Sequence, residues 1–388
     1  MRLALAALTA LLLAAAPAAA KQPADGVRRA VAPLGSAVAV QVTDVTKRRT
    51  VVALRARRAQ PLASTTKILT AAAVLRGGIG DAIPTDLLAV APSTGPVLAG
   101  DLYLRGDGDP TLGEAQLARL ADQLSPYREI TGSVVGDESL FDGVRTGPSG
   151  DGLFDPELGG PLSALAYERG AQVPVGPVQA DPARAAAARL DDVLEARGVV
   201  IRGVPRAGVT PDGVTGIGLV VSLVNPMLRR MLTVSDDWTA EILTKRLAAT
   251  DAPPGTTAAG AAMIAREAAL LGARVSLVDG SGLDARNRGT AAGIVAVLAR
   301  TRRDPVFRRG LARPGRGTLR GRMGSGPARR RCRGKTGTLP SGGVSNLAGL
   351  CKGRNGHLYA FAVLVRGRDT TKARRAQDRV ARALAAAR

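Results

Sequence analysis

A serine stands three residues ahead of a lysine, Ser64 and Lys67, in "PLASTTKILTAAAVL", at the head of an apolar run. Residues three apart on a helix share a face. A serine hydroxyl is a weak nucleophile until a nearby base takes its proton. A lysine serves as that base only when neutral, through burial or a neighbouring cation. A helix N-terminus adds free N–H groups and partial positive charge, which suit a developing oxyanion. The same residues also read as a helix-capping serine followed by a surface lysine. Fifteen serines and seven lysines produce roughly 0.3 such pairs by chance in a chain of this length, so the spacing alone leaves both readings open.

Two later segments carry further chemistry. "GKTGTL" reads as a strand, with Lys335 and Gly337 on one face and Thr336 and Thr338 on the other. A lysine there fits recognition of a carboxylate. A glycine there lets a ligand approach the backbone closely. "TVSDDWTAEIL" supplies Ser235, Asp236, Asp237 and Glu241. Alone, it is a helix start with Ser235 or Asp236 as cap and Glu241 in an early turn.

Serine-x-x-lysine, then serine-aspartate-asparagine, then lysine-threonine-glycine is the ordered set of penicillin-binding proteins and class A β-lactamases. Together with "LRGDGDPTL", "VVGDESLFDG" and "VDGSGLDARNR", these motifs make the chain resemble the exported D-alanyl-D-alanine carboxypeptidase/endopeptidase family of low-molecular-mass, class C penicillin-binding proteins. The resemblance spans nearly the whole chain after its leader. The long interval from Ser64 to Ser235 also fits this group, whose members carry an insertion there. A β-lactamase is disfavoured by the same insertion.

The resemblance implies an α/β (α+β) fold of the β-lactamase/transpeptidase type. An antiparallel sheet flanked by helices and an all-helical subdomain would hold Ser64 between them, with a mixed, strand-rich domain inserted. It implies that Ser64 attacks the carbonyl of a D-Ala–D-Ala bond or a D,D cross-link and forms an acyl-enzyme. Lys67 would take the proton and Ser235 pass it to the leaving amine. Backbone N–H groups of Ser64 and Thr338 would form the oxyanion hole. Lys335, with Thr336, Gly337 and Thr338, would line the site and hold the substrate carboxylate. Asp137, in the insertion, would reach toward the diamino acid of the peptide, although an aspartate in a turn is its ordinary role. The implied partners are peptidoglycan peptide and β-lactam antibiotics. No metal and no organic cofactor are implied.

One motif position departs from the pattern. Asp237 stands where the family has asparagine. An ionised aspartate offers only acceptors, whereas asparagine also donates. It adds a negative charge near Lys67, which favours the ammonium form and opposes the base role. The alternative function is therefore a non-catalytic or very slow penicillin- and peptidoglycan-binding homologue.

These residues need elements to position them. Residues 36–56 alternate and are valine-rich, which predicts two strands joined near residues 46–49. Residues 64–76 predict a helix with Ile68, Leu69, Ala72 and Leu75 on an apolar face. Helices follow from 223 to 272 and over 290–302. The stretch 313–330 reads as loop, and strands recur near 330–338, 346–352 and 358–366. The terminal segment places Ala376, Val380, Ala383 and Ala387 on one helix side. That face is suited to packing on a sheet, with a membrane surface as the alternative. The domains read as a signal peptide over 1–20, a first transpeptidase-like part over 21–76, an inserted mixed α/β domain over 77–222 and a second transpeptidase-like part over 223–388.

The leader has a positive start, an apolar stretch and small residues at Ala18 and Ala20, which predicts export and cleavage near Ala20. The mature chain then lies on the periplasmic or cell-wall side. No later run is long enough for a membrane span. Cys332 and Cys351 are the only cysteines; they read either as a hairpin disulfide or as two buried thiols. The one histidine, His357, reads as a surface turn residue, and it cannot assemble a zinc site with those cysteines. The net charge is +22, from 54 basic residues of which only seven are lysine. Aromatic content of 2% leaves little to stack on bases, which argues against nucleic acid. An anionic envelope polymer is the simpler electrostatic partner, and a solvated basic surface is the plainest explanation of all.

Overall fold

The computed structural model describes residues 23–91, 95–148, 155–171, 178–250 and 252–388. The leader expected over 1–20 lies outside the described residues.

Five strands make one antiparallel sheet, in the spatial order Cys332–Leu339, Val344–Lys352, Leu358–Val365, Val38–Asp44 and Arg49–Leu54. The alternation of residues 36–56 thus becomes a hairpin as predicted, and the three C-terminal strands fall in the expected places. Side chains of a strand alternate between faces, and here both faces are covered. Val40, Val42, Phe361 and Val363 pack under the terminal helices Pro23–Val31 and Thr370–Ala385. Ala39, Ala348, Ala362 and Leu364 face the helical half of the molecule. Burying each large apolar side chain stabilises the fold by about 1.5–3 kcal/mol, so this double-faced sheet is the main scaffold for what its edge carries.

The C-terminal helix takes the sheet rather than a membrane surface: Ala376, Val380 and Leu384 are fully buried. Among the described residues no helix is long and apolar enough to cross a membrane. Cys332 pairs with Cys351 in register, and the two form a disulfide across the hairpin. His357 is not the exposed turn residue expected. Its side chain is 22% exposed, and its Nδ1 sits 2.8 Å from Oδ2 of the buried Asp44. The stretch 313–330, read as loop, contains the short helical turn Gly317–Leu319 and most of a second, Ala328–Arg331.

Residues 82–223 build a second sheet. Its main path runs Thr215–Leu223, Ala82–Ala91, Val97–Gly106, Glu129–Ile130 and Val200–Ile201, with Val134–Asp137 also beside Val97–Gly106. Helices Glu114–Gln123 and Pro182–Glu195 cover it through Leu117, Leu120, Leu190 and Leu194. Ala82 pairs with Leu223, and Val224 N donates to Asp81 O at 2.9 Å. The chain therefore enters and leaves this unit at one point, which lets it interrupt the surrounding fold without opening it.

The helix after Ser64, Lys67–Gly77, is buried at every position from Lys67 to Val74. A helix apolar all round belongs inside, and here Leu228, Leu243, Ile264 and Ile294 surround it. It ends where Gly78 takes a left-handed conformation at φ 90°.

Candidate active site

Ser64 is not the helix cap. It lies in a tight 3-10 turn, Ala63–Thr66, and the helix proper starts after Thr66. The turn is held from three sides. Asn346, on the second strand of the sheet, donates to Pro61 O at 2.9 Å and Leu62 O at 2.8 Å, while its own oxygen accepts from Val365 N at 3.1 Å. Gly337 lies against the turn: a Cβ there would meet Leu62 O and Thr65 N, each at 3.0 Å. Gly282 closes the third side; its φ is 86°, and a Cβ there would stand 2.0 Å from Ala63 O. Ala63 itself has a φ of 46°, an unfavourable conformation for a residue with a Cβ that the three contacts hold in place.

Lys67 lies one turn on and is completely buried. Its Nζ is 3.2 Å from Ser64 Oγ, 2.5 Å from Asp237 Oδ1 and 2.6 Å from Ser281 O. A neutral amine has two N–H groups and one lone pair. Two hydrogens to Asp237 and Ser281 leave the lone pair for the Ser64 hydroxyl, so the geometry accommodates the base form.

The Ser-Asp-Asp segment is a joint between two helices. Ser235 ends Val224–Val234 in a left-handed conformation, φ 67°. Asp236 caps the next helix, Asp237–Ala248, by accepting from Thr239 N at 3.1 Å. Arg169 of the insertion grips Asp236 with two hydrogen bonds of 2.7 and 2.9 Å. Burial alone would raise the Asp236 carboxyl; the bonds and charge of Arg169, with help from Thr239 and Arg230, hold it below the usual range.

The edge strand Cys332–Leu339 completes the group. Lys335 is fully buried, and its Nζ donates to Ser235 Oγ at 2.7 Å and Thr336 O at 2.9 Å. Burial, then the charge of Lys67, drives its ammonium well below the usual amine range, against a smaller opposing pull from Asp237. An arriving carboxylate would oppose that shift and favour the ammonium form of Lys335. Thr336 and Thr338 are half-buried on the same strand, opposite Leu347 and Ser345.

Asp137 makes its bonds within the insertion. It is buried at a strand end, where its two oxygens accept from Ser139 N at 2.8 Å and Thr210 N at 2.7 Å. It lines a cavity of about 370 Å³ with Arg105 and Asp212.

Several contributors escape a reading of the sequence. Glu241 lies in an early turn of its helix, Asp237–Ala248, as the helix start predicts, but its role is not local. It is fully buried, and its Oε1 accepts from Gly280 N at 3.0 Å and Ser281 N at 2.6 Å. It thereby aims the Ser281 carbonyl at Lys67. Burial, then the charge of Asp279, raises its carboxyl to about 8, which favours its protonated form. Asp279 accepts from Gly282 N at 2.6 Å and Asp284 N at 2.8 Å, and Asn287 donates to it at 2.6 Å. The available signals were the four-residue spacing of Asp237, Glu241 and Lys245 and the acid ahead of "GSG". The spacing puts three ionisable side chains on one helix face. All three turn inward: Asp237 to Lys67, Glu241 to the 280–281 loop, and Lys245 to Asp142 of the insertion.

A serine paired with a buried lysine, at the junction of an antiparallel sheet and a helical domain, defines the class of serine enzymes that includes the penicillin-binding proteins. The chain belongs to the D-Ala-D-Ala carboxypeptidase 3 (S13) family, whose model matches residues 28–152 and 163–387, and it is a serine-type enzyme of that kind. It is 28% identical to a D-alanyl-D-alanine carboxypeptidase of Actinomadura sp. (strain R39), over 83% of this chain and 76% of that protein. Its fold is similar to that of penicillin binding protein 4 from Haemophilus influenzae, with a TM-score of 0.77, 20% identity, and coverage of 92% of this chain and 97% of that one. That protein has also been solved with a β-lactam. A predatory peptidoglycan endopeptidase from Bdellovibrio bacteriovorus is similar at a TM-score of 0.55 and 18% identity, over 86% of this chain and 87% of that one.

Proposed function

We propose that the chain is an exported serine D,D-peptidase that hydrolyses D-alanyl-D-alanine termini and D,D cross-links of peptidoglycan and is acylated by penicillin. The observation that carries this is the 3.2 Å approach of Lys67 Nζ to Ser64 Oγ, with Lys335 and Ser235 joined at 2.7 Å beside it. Lys67 takes the Ser64 proton as Oγ attacks the peptide carbonyl. The tetrahedral oxyanion is received by the backbone N–H groups of Ser64 and Thr338. Ser235 passes the proton to the departing amine. Lys335, with Thr336 and Thr338, holds the terminal carboxylate of the substrate. Water then attacks the acyl carbonyl as Lys67 takes its proton, and Lys67 returns that proton to Ser64 Oγ as the acyl–oxygen bond breaks, which frees Ser64. Asp137 meets the side chain of the diamino acid from the cavity it lines.

A second function, binding of the wall peptide with slow or absent turnover, is favoured by one contact, the 2.5 Å pair between Lys67 and Asp237. The two separate in a digestion of purified peptidoglycan. The peptidase releases D-alanine or cleaves cross-links, and Ser64→Ala does neither. Equal release by both proteins would remove Ser64 from the mechanism. Binding without release by the wild type would establish the second function.

A further inference from the structure

The edge strand that carries Lys335 also borders a cleft whose charged lining is all cationic, nine arginines and Lys352. Two adjoining cavities, of about 560 and 540 Å³, share Arg330 and Arg331. The larger is lined by Arg302, Arg308, Arg309, Arg313, Arg333 and Lys352. Arg329 and Arg354 add to the smaller. No carboxylate lines either one. Among the described residues none of these cations forms an ion pair. Their visible partners are carbonyls: Ala299 O for Arg302 at 2.5 Å and Gly353 O for Arg331 at 3.1 Å. The nearby Asp304 is occupied in capping Val306 N at 2.7 Å.

Like charges gathered in a concave site repel one another and focus a positive potential. Arg333 registers this: burial, then the charges of Arg313 and Arg308, hold its guanidinium below the usual range. An arriving anion relieves that repulsion.

The position of the cleft is as informative as its charge. Arg333 precedes Lys335 by two residues, so both side chains leave the same face of the strand. Ala312 and Gly334 exchange backbone hydrogen bonds of 3.0 and 2.9 Å. This fastens the arginine-bearing segment against the strand's free edge and leaves residues 335–338 open beside it.

We infer that this cleft is a binding site for a linear polymer of repeated phosphate groups without bases, and that it holds such a strand alongside the Ser64 site. Guanidinium forks match phosphate oxygens in pairs, and two joined cavities span more than one anionic group. No exposed large apolar side chain belongs to the cleft, so it lacks the wedge a bilayer would take. No aromatic side chain lines it, so it offers no platform for bases. The site lies apart from the Ser64 group and stands or falls independently of the peptidase reaction.

The test compares two variants of the whole chain, each with four exposed arginines changed to glutamine. One carries Arg308→Gln, Arg309→Gln, Arg329→Gln and Arg330→Gln. The other carries Arg28→Gln, Arg29→Gln, Arg374→Gln and Arg375→Gln, none of which lines either cavity. Both are expected to keep the wild-type unfolding temperature, because all eight side chains are exposed. Binding of a short linear polyphosphate is measured by calorimetry, beside orthophosphate, phosphatidylglycerol vesicles and a single-stranded DNA oligomer. The cleft variant is expected to bind polyphosphate at least about tenfold more weakly and with a shallower salt dependence, while the control changes by less than about threefold. Equal losses in both variants would reduce the effect to net charge and overturn the site. So would absence of polyphosphate binding, binding of orthophosphate as tight as that of the polymer, or a stronger cleft-dependent response to vesicles or DNA.

Discussion

Lys67 Nζ lies 2.5 Å from Asp237 Oδ1, with the lysine wholly buried and the carboxylate one-fifth exposed. Asparagine at that position would accept the same hydrogen bond without a charge. Asparagine would also bring an N–H donor to the lysine–serine network that the carboxylate lacks, and it would remove a negative charge from beside the base. Asp237→Asn is therefore expected to speed acylation by penicillin, by about tenfold at neutral pH. Stopped-flow acylation kinetics measure this directly. An unchanged or slower variant would show that the charge does not limit Lys67.

Glu241 gives a pH dependence. Its carboxyl rises from 4.5 to about 8 on folding, through burial and then the charge of Asp279. Between these values the folded chain keeps a proton that the unfolded chain has lost. This group's contribution to stability is thus fully present below about 4.5, falls as pH rises through the window, and is lost above about 8. Glu241→Gln keeps an oxygen for Gly280 N and Ser281 N but has no proton to lose. Its urea midpoint is expected to fall less steeply than the wild type's across that window; parallel profiles would contradict the assignment. Glu241→Ala leaves both N–H groups without their acceptor, costs about 2–4 kcal/mol, and slows acylation by releasing the Ser281 carbonyl from its aim at Lys67.

Gly337 fixes the distance between the edge strand and the nucleophile turn. In Gly337→Ala the new methyl group meets two backbone atoms at 3.0 Å, so the strand must move outward. Displacing catalytic groups by a fraction of an ångström costs rate before it costs stability. Acylation is expected to slow by about tenfold or more, with an unfolding temperature close to wild type. A variant with full acylation activity would show that the strand tolerates the shift and that its N–H at Thr338 is not placed by Gly337.

What could be read from the sequence was what repeats locally. Alternation located the hairpin at residues 38–54, and residue types in order located Ser64, Lys67, Ser235 and Lys335. The contacts that aim those groups could not be read, because they join distant parts of the chain. Asn346 reaches Pro61 across 285 residues, and Glu241 reaches Ser281 across 40. An acid in a helix's early turns looks like a capping residue until the fold shows it buried. The Ser64 helix likewise presented one apolar stripe on paper; alanine is small enough to be buried on any side, so its periodicity could not reveal that the helix is enclosed all round.

The central claim is that Ser64 is the acylated nucleophile with Lys67 as its base. The most direct measurement is intact-protein and peptide mass spectrometry after exposure to benzylpenicillin. One penicilloyl group is expected on the peptide containing Ser64 in the wild type, with none in Ser64→Ala and a greatly slowed adduct in Lys67→Met. An adduct that survives in Ser64→Ala, or forms at full rate in Lys67→Met, would contradict the mechanism.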